Sequence, residues 1–383
     1  MAADLDANEP AFAAAIDECV QSLEPLLGVD VRELLFSQDD GADERLRQTA
    51  FTQPALFTIE YATSRLLASW GLRPDIVIGH SIGEFAAAVE AGIISLEAGL
   101  RLVVERGRLM QSMEPGSMAS IEIERENLDE LLAQWRSVSL AADNGGDRLV
   151  VSGPTADIES LVAQCEASGR ATSILRTSHA FHSVMMDDAA DQFERFAAGF
   201  EFSAPNVPFV SNVTGTWITD DQATSAAFWA DQIRKPVRFA ECVSAVADRG
   251  PVFVEVGPGS ALSTMAIRNE MIESGTAASV NIIRHPRVSR NDQDVALEAM
   301  ARLWCAGVDL DWVALGQDGG RTVPLPSYPF DRTEAWLPNI RHQLSLPAFG
   351  HTSASSGPSV ERRDIEDWLY AVSYTHLTLP TKA

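Results

Sequence analysis

Positive charge is scarce in this chain: its 383 residues carry 29 Lys+Arg against 54 Asp+Glu, a formal net charge of −25. So acidic a balance disfavours a nucleic-acid backbone or an anionic membrane surface as the main partner, and an anionic small substrate would need a local cation. Long apolar runs are missing as well. None approaches the roughly 18 residues of a membrane span, and Met1 leads into alanines and aspartates rather than a basic and then apolar signal segment. A cytoplasmic location is expected. There are only four cysteines, Cys19, Cys165, Cys242 and Cys305, with no C-x-x-C and no histidine at zinc spacing. That pattern suggests neither a disulfide framework nor a metal site and favours four small hydrophobes for the core.

What is present is an ordinary globular composition, 46% hydrophobic and 22% charged, in a length that suits two to three structural units. From Glu9 to Leu35 the apolar residues Phe12, Ile16, Val20, Leu23 and Leu27 recur at helical steps, and Pro54 to Trp70 repeats the pattern up to Gly71. Asp75 to Gly79 is a short apolar run bounded by turn formers, the mark of a parallel strand buried on both faces. Gly83 to Gly92 reads as helix, and Ser95 caps a longer one through Met113. The rhythm then changes: strand Met118–Ile123, helix Asn127–Trp135, strand Val138–Ala142, strand Leu149–Ser152, helix Thr155–Ser168 and strand Ala171–Arg176. This βαββαβ order is a ferredoxin-like unit inserted into a larger α/β domain. Strands at Val207–Asn212 and Val252–Val256, and helices at Ala261–Asn269 and Val295–Ala306, resume the first rhythm. Prolines 324, 326, 329 and 338 predict an extended surface stretch, and Gln343 to Ser359 a flexible linker.

The sharpest chemical signal is Gly79-His80-Ser81-Ile82-Gly83, a G-x-S-x-G between an apolar strand and a helix. A bare match arises by chance in about one chain in eight of this length, so the strand-turn-helix placement carries the weight. In that context the glycines permit a strained turn that presents a serine oxygen at a helix N-terminus. Of the candidate bases, His80 sits on the elbow and is expected to pack away from Ser81. His179 and His182 lie where the inserted unit returns to the main domain, a natural cleft wall. Arg106, midway along an amphipathic helix, is read either as a solvated or ion-paired surface residue or as an inward clamp for a substrate carboxylate.

Taken together, Thr52-Gln53-Pro54-Ala55-Leu56-Phe57, Gly79 to Glu84, Arg106-Gly107-Arg108-Leu109-Met110, His179-Ala180-Phe181-His182-Ser183 and Glu255 to Gly259 resemble the acyltransferase domain of a modular type I polyketide synthase. Leu325 to Phe330 and Trp336-Leu337 resemble the linker that follows it, and the likeness runs from about residue 5 to 340. The resemblance implies an α/β fold: an α/β-hydrolase-like large subdomain with a parallel sheet and nucleophile elbow, and a ferredoxin-like small subdomain. It implies Ser81 as nucleophile and His182 as general base and acid, oriented by a backbone carbonyl expected from the segment before Gly257. The Ile82 N–H becomes an oxyanion donor, Arg106 the partner of the extender's free carboxylate, and Gln53 a pocket residue. His179-Ala180-Phe181-His182 goes with malonyl units and Tyr-Ala-Ser-His with methylmalonyl, with bulky Phe181 filling the space an α-methyl needs; Ile82 is also the malonyl-type choice. Malonyl-CoA as substrate, the phosphopantetheine of an acyl carrier protein as acceptor, neighbouring synthase domains as partners and no bound cofactor complete the expectation.

The expected organisation is a large subdomain over residues 1–115 and 184–290, a small one over 116–183, the post-acyltransferase linker over 291–340, a flexible linker over 341–371 and a non-native tail over 372–383. The family begins with a strand and a Gly-Gln-Gly-x-Gln loop that would precede Met1, and Val372 to Ala383 resembles a translated adapter, so a gene fragment is expected. Two other readings remain. One is a serine esterase using Asp248 and His285, although no HGGG-type loop is present; the other is an inactive, truncated remnant.

Overall fold

The computed structural model describes residues 2–316, apart from 38–39, 270–271, 273–276 and 286, together with 324, 326 and 327. The expected flexible linker, the tail and nearly all of the proline-rich stretch lie outside the described residues. The chain opens with α1 (Ala3–Asn8) and α2 (Pro10–Leu27). Proline at the first position of α2 loses no hydrogen bond there, and Gly28 ends the helix in a left-handed conformation, φ 68°. The apolar face from Glu9 to Leu35 is therefore two helices. Asp30 accepts the N–H groups of Arg32 and Glu33 and so starts α3 (Val31–Phe36), followed by α4 (Asp40–Leu46). Helix α5 (Thr49–Ser69) begins five residues before Pro54, which lies inside it. The early start is held from far away, since Gln111 Oε1 accepts the Ala50 N–H at 2.9 Å.

Strand β1 (Val77–Ile78) runs into α6 (Gly83–Glu90), and Ser95 caps α7 (Leu96–Gln111) as its sequence predicts. Helices α5 and α7 meet at small residues: a Cβ on Gly107 would lie 2.9 Å from the Thr49 carbonyl oxygen, and one on Gly99 3.0 Å from the Phe57 ring. The close approach presses the Arg106–Gly107 face of α7 inward, and Arg106 is only 1% exposed.

Next come β2 (Ser117–Glu122), α8 (Arg125–Leu132), β3 (Ser139–Asp143), β4 (Arg148–Gly153), α9 (Thr155–Ala167) and β5 (Thr172–Ile174), every end within three residues of the sequence expectation. In space the strands run β5-β2-β4-β3, all antiparallel, the order of a ferredoxin-like sheet. Ile121, Leu128, Val151, Ile158, Leu161 and Cys165 make its own core beneath the two helices. After α10 (Asp187–Ala197), β6 (Phe209–Ser211), β7 (Thr216–Trp217), α11 (Asp220–Ala223) and α12 (Ala226–Arg234), strand β8 (Val237–Arg238) adds to that sheet parallel to β3. The small sheet is thus completed by residues outside 116–183. Helix α13 (Phe239–Ser244), β9 (Val252–Pro258), α14 (Ala261–Ile267), β10 (Ala278–Ile283), α15 (Asp292–Cys305) and α16 (Trp312–Leu315) finish the described chain. In the main body β1 pairs parallel with β6 and β9 parallel with β10.

The main core lies between α6, α7, α10 and α12. Its centre is Trp229 of α12, in ring contact with Phe85 of α6 at 5.5 Å and Phe209 of β6 at 6.2 Å. A second core joins α1, α2 and α5 to β10 and α15. Cys19, Cys165 and Cys242 are buried as expected; Cys305, in the last turn of α15, is exposed. No described helix is long and apolar enough to cross a membrane.

Candidate active site

Ser81 sits in the turn between β1 and α6 with φ 51°, a left-handed conformation that a side-chain-bearing residue rarely adopts. The turn is tight: Gly83 N–H donates to His80 C=O at 3.0 Å and Glu84 N–H to Ser81 C=O at 3.0 Å. The two glycines of the motif do not share the work equally. A Cβ on Gly79 would fall 2.3 Å from the Glu84 backbone nitrogen, so only glycine fits, whereas one on Gly83 would meet nothing nearer than Glu60 at 3.8 Å. The positive φ itself falls on Ser81, a strain of order 1–3 kcal/mol that the surrounding packing must hold. The Ile82 N–H, at the mouth of α6, donates to no protein acceptor among the described residues.

Of the two histidines that residue pattern without the resemblance left open, the structure brings His182 to the serine. Ser81 Oγ lies 2.8 Å from His182 Nε2, and His182 Nδ1 lies 2.9 Å from the Lys235 carbonyl oxygen. A carbonyl can only accept, so Nδ1 carries the proton and Nε2 is the acceptor for the serine hydroxyl. This corrects one expectation: the orienting carbonyl comes from Lys235, just past the C-terminus of α12, and not from the segment before Gly257. His182 is also left-handed, φ 57°. Burial, then the nearby Arg106 cation and His80, push its pKa down to about 3, so the ring is neutral at neutral pH.

Arg106 takes the inward of its two readings. Its Nη2 lies 3.2 Å from Ser81 Oγ, while Gln232 Oε1 accepts from Nε at 3.1 Å and Nη2 at 2.9 Å. Burial lowers its pKa to about 9, opposed by the charge of Glu84, and it remains a cation at neutral pH. Glu84, fully buried on α6, is raised to about 7 by burial; its Oε1 accepts the Asn212 N–H at 2.7 Å, tying the elbow helix to the end of β6. The remaining candidates are less close to the serine. Gln53 is buried on α5 with Nε2 3.3 Å from Met110 Sδ, one turn of α7 beyond Arg106. His179 is buried, bonds Ser178 Oγ at 2.8 Å and stacks on Phe181 at 6.0 Å. Phe181 packs between the main core and the one beneath β3 and β8. His80 turns from Ser81 to Asn144 Oδ1 at 2.8 Å and to the Phe239 ring, as expected of a packing residue. His285, the base of the esterase alternative, accepts the Arg287 N–H and makes no bond to Ser81 among the described residues.

Gln232 and the Lys235 carbonyl escaped the sequence reading. For Gln232 a signal existed: it falls three and four residues after Trp229 and Phe228 on the buried face of α12, and a polar residue on an apolar stripe asks for a partner. For Lys235 there was none, because a backbone carbonyl leaves no trace in side-chain pattern. A cavity of about 570 Å³ beside Lys235, Pro236 and Arg238 includes neither Ser81 nor His182 in its lining.

A strained serine on an elbow, a neutral histidine held by a carbonyl and a buried cation at the serine oxygen are groups that can carry acyl transfer. The chain belongs to the acyl transferase domain family, whose model matches residues 1–309. It is 39% identical over 364 residues to the spectinabilin polyketide synthase system protein NorB of Streptomyces orinoci, covering 90% of this chain and 17% of that protein. Against the mycoketide-CoA synthase of Mycobacterium tuberculosis it is 40% identical over 339 residues, covering 88% of this chain and 8% of that one. The chain thus spans a small part of the curated relatives it matches. Among solved structures, the acyltransferase domain from the second module of the salinomycin polyketide synthase superposes with TM-score 0.76 at 41% identity, over 86% of this chain and 76% of that one. The malonyl CoA-acyl carrier protein transacylase of Clostridium perfringens gives TM-score 0.69 at 25% identity, over 80% and 94%. The chain is an acyltransferase of the polyketide-synthase type.

Proposed function

We propose that the chain moves a malonyl group from coenzyme A to the phosphopantetheine thiol of an acyl carrier protein through an ester on Ser81. The observation that carries this is the Ser81–His182–Lys235 relay with a buried arginine nitrogen 3.2 Å from the nucleophile. As Ser81 Oγ attacks the thioester carbonyl, its proton passes to His182 Nε2, and the imidazolium so formed is stabilised by its bond to the Lys235 carbonyl. The Ile82 N–H stabilises the oxyanion at the start of α6. The tetrahedral intermediate collapses, the C–S bond breaks, and His182 returns its proton to the coenzyme A thiolate. The malonyl-seryl ester remains. The carrier's thiol then gives its proton to His182 and attacks the ester, and the same proton restores the Ser81 hydroxyl as it leaves.

Arg106 supports malonyl over acetyl, since a buried cation beside the reacting serine gains a charge-assisted partner only from an acyl group with a free carboxylate. Phe181 is assigned to exclude an α-methyl. The test is incubation of the full chain with malonyl-CoA followed by intact mass. A stable increase by one malonyl group is expected, absent in Ser81→Ala and slow to appear in His182→Ala. An adduct retained by Ser81→Ala would sink the assignment, and steady thioester hydrolysis with no adduct would indicate an esterase.

A further inference from the structure

We propose that Gln232 is the positioning residue that sets acyl selectivity, by fixing which edge of the Arg106 guanidinium faces the acyl group. This rests on the reading that Arg106 receives the free carboxylate of a malonyl group. A guanidinium presents five N–H donors in a rigid fork. Here Gln232 Oε1 takes the Nε and Nη2 edge at 3.1 and 2.9 Å, Ser81 Oγ lies 3.2 Å from Nη2, and Nη1 has no protein acceptor among the described residues. The side-on edge is therefore closed by a neutral oxygen. The end-on pair, Nη1 with the Nη2 hydrogen now on the serine, is left untaken by Gln232.

The amide of Gln232 cannot turn over in place. Its Nε2 donates to the Ser81 carbonyl oxygen, so a flip would set an NH₂ against the cation and an oxygen against a carbonyl. The residue is 1% exposed. One side chain thus joins the arginine to the backbone of the nucleophile. Its neutrality matters as much as its reach: Arg106 makes no ion pair among the described residues, so its charge is uncompensated by any contacting carboxylate. An acid at position 232 would occupy the same edge and compete with the substrate's carboxylate for the cation.

The experiment measures kcat/KM for Ser81 acylation by malonyl-CoA and by acetyl-CoA in competition on the full chain. The ratio of the two does not depend on how much of a preparation is folded, so a merely structural role for Gln232 leaves it unmoved. Gln232→Leu, close in volume and without hydrogen bonds, is expected to lower the malonyl-to-acetyl ratio at least tenfold, chiefly through KM for malonyl-CoA. Gln232→Glu, which keeps the shape, is expected to lower it too and carries the test alone if the leucine variant does not fold. In an Arg106→Ala background neither substitution should shift the ratio further. An unchanged ratio in a folded single variant, or a further loss in the Arg106→Ala background, overturns the inference while the malonyl reading stands. A wild-type chain that takes acetyl as readily as malonyl overturns both.

Discussion

Both residues of the Ser81–His182 pair occupy left-handed backbone, φ 51° and 57°, which neither would choose alone. The strain is held because each side chain is tied at both ends: the serine to His182 and Arg106, the histidine to Ser81 and the Lys235 carbonyl. A depressed pKa has a direct consequence for rate. With its pKa at about 3, below the ordinary 6.5, His182 stays unprotonated and able to accept the serine proton far into acid. First-turnover malonyl loading is therefore expected to be level from pH 8 down to 5, and a fall with a midpoint near 6.5 would show that the ring titrates as an ordinary histidine. Phe181→Ser is expected to admit methylmalonyl-CoA in part. A hydrophobic pocket discriminates one methyl by about 1–3 kcal/mol, so the competition ratio should move without inverting fully; an unchanged ratio would place selectivity elsewhere.

At the scale of elements, α12 is the mount of the site. Trp229 wedges it against α6 and β6, and its last turn then delivers Gln232 to Arg106 and the Lys235 carbonyl to His182. Helix α7 delivers Arg106 from the other side, and it reaches that depth because Gly107 lets it cross α5 closely. Gly107→Val would bring a Cβ within 2.9 Å of the Thr49 backbone oxygen, so the two helices must shift apart. Overpacking of this kind costs about 1–3 kcal/mol. A denaturation midpoint lowered by that much is expected, together with a loss of malonyl preference as Arg106 is pushed away; a variant with wild-type stability would show that the helices can part freely. Elements with local signals were legible in the sequence: the Ser95 cap, the elbow strand and the βαββαβ order all stood close to where they were expected. The start of α5 was not, because its first turn is satisfied by Gln111, 61 residues on. The break between α2 and α3 was missed for a different reason, since an apolar face continues across Gly28 while the backbone does not.

The whole molecule carries buried acids that tie its stability to pH. Glu60 is pushed up from 4.5 to about 8 by burial and by Glu255, and Glu84 from 4.5 to about 7 by burial. Over the interval between the ordinary and the raised value the folded state holds a proton that the unfolded chain has released, so stability falls as pH rises. His182 acts in the opposite sense, but only below its ordinary 6.5. Above that point the carboxyls dominate, and stability is expected to decline from pH 6.5 to 8 by on the order of 1 kcal/mol per pH unit for each group still titrating. Glu60→Gln should flatten the decline at its upper end. Melting temperatures at pH 6.5, 7.5 and 8 check this, and the same slope in wild type and variant would clear Glu60 of the effect.

By itself the sequence determined what depends on neighbours along the chain: the α/β rhythm, the strand-turn-helix that bends at Ser81, the inserted ferredoxin-like unit and the residue types that acyl transfer needs. Residue pattern without the family resemblance left open which of His179 and His182 meets Ser81 and whether Arg106 faces water or the serine, and the resemblance, which chose His182 and an inward Arg106, expected the orienting carbonyl in the wrong segment. Tertiary structure decided these, because the partners are 101, 25 and 53 residues apart and meet only when α6, α7 and α12 pack on Trp229. Periodicity reports which face of a helix is buried. It does not report which buried polar atom finds another, since that depends on how two distant backbones come to lie a few ångströms apart.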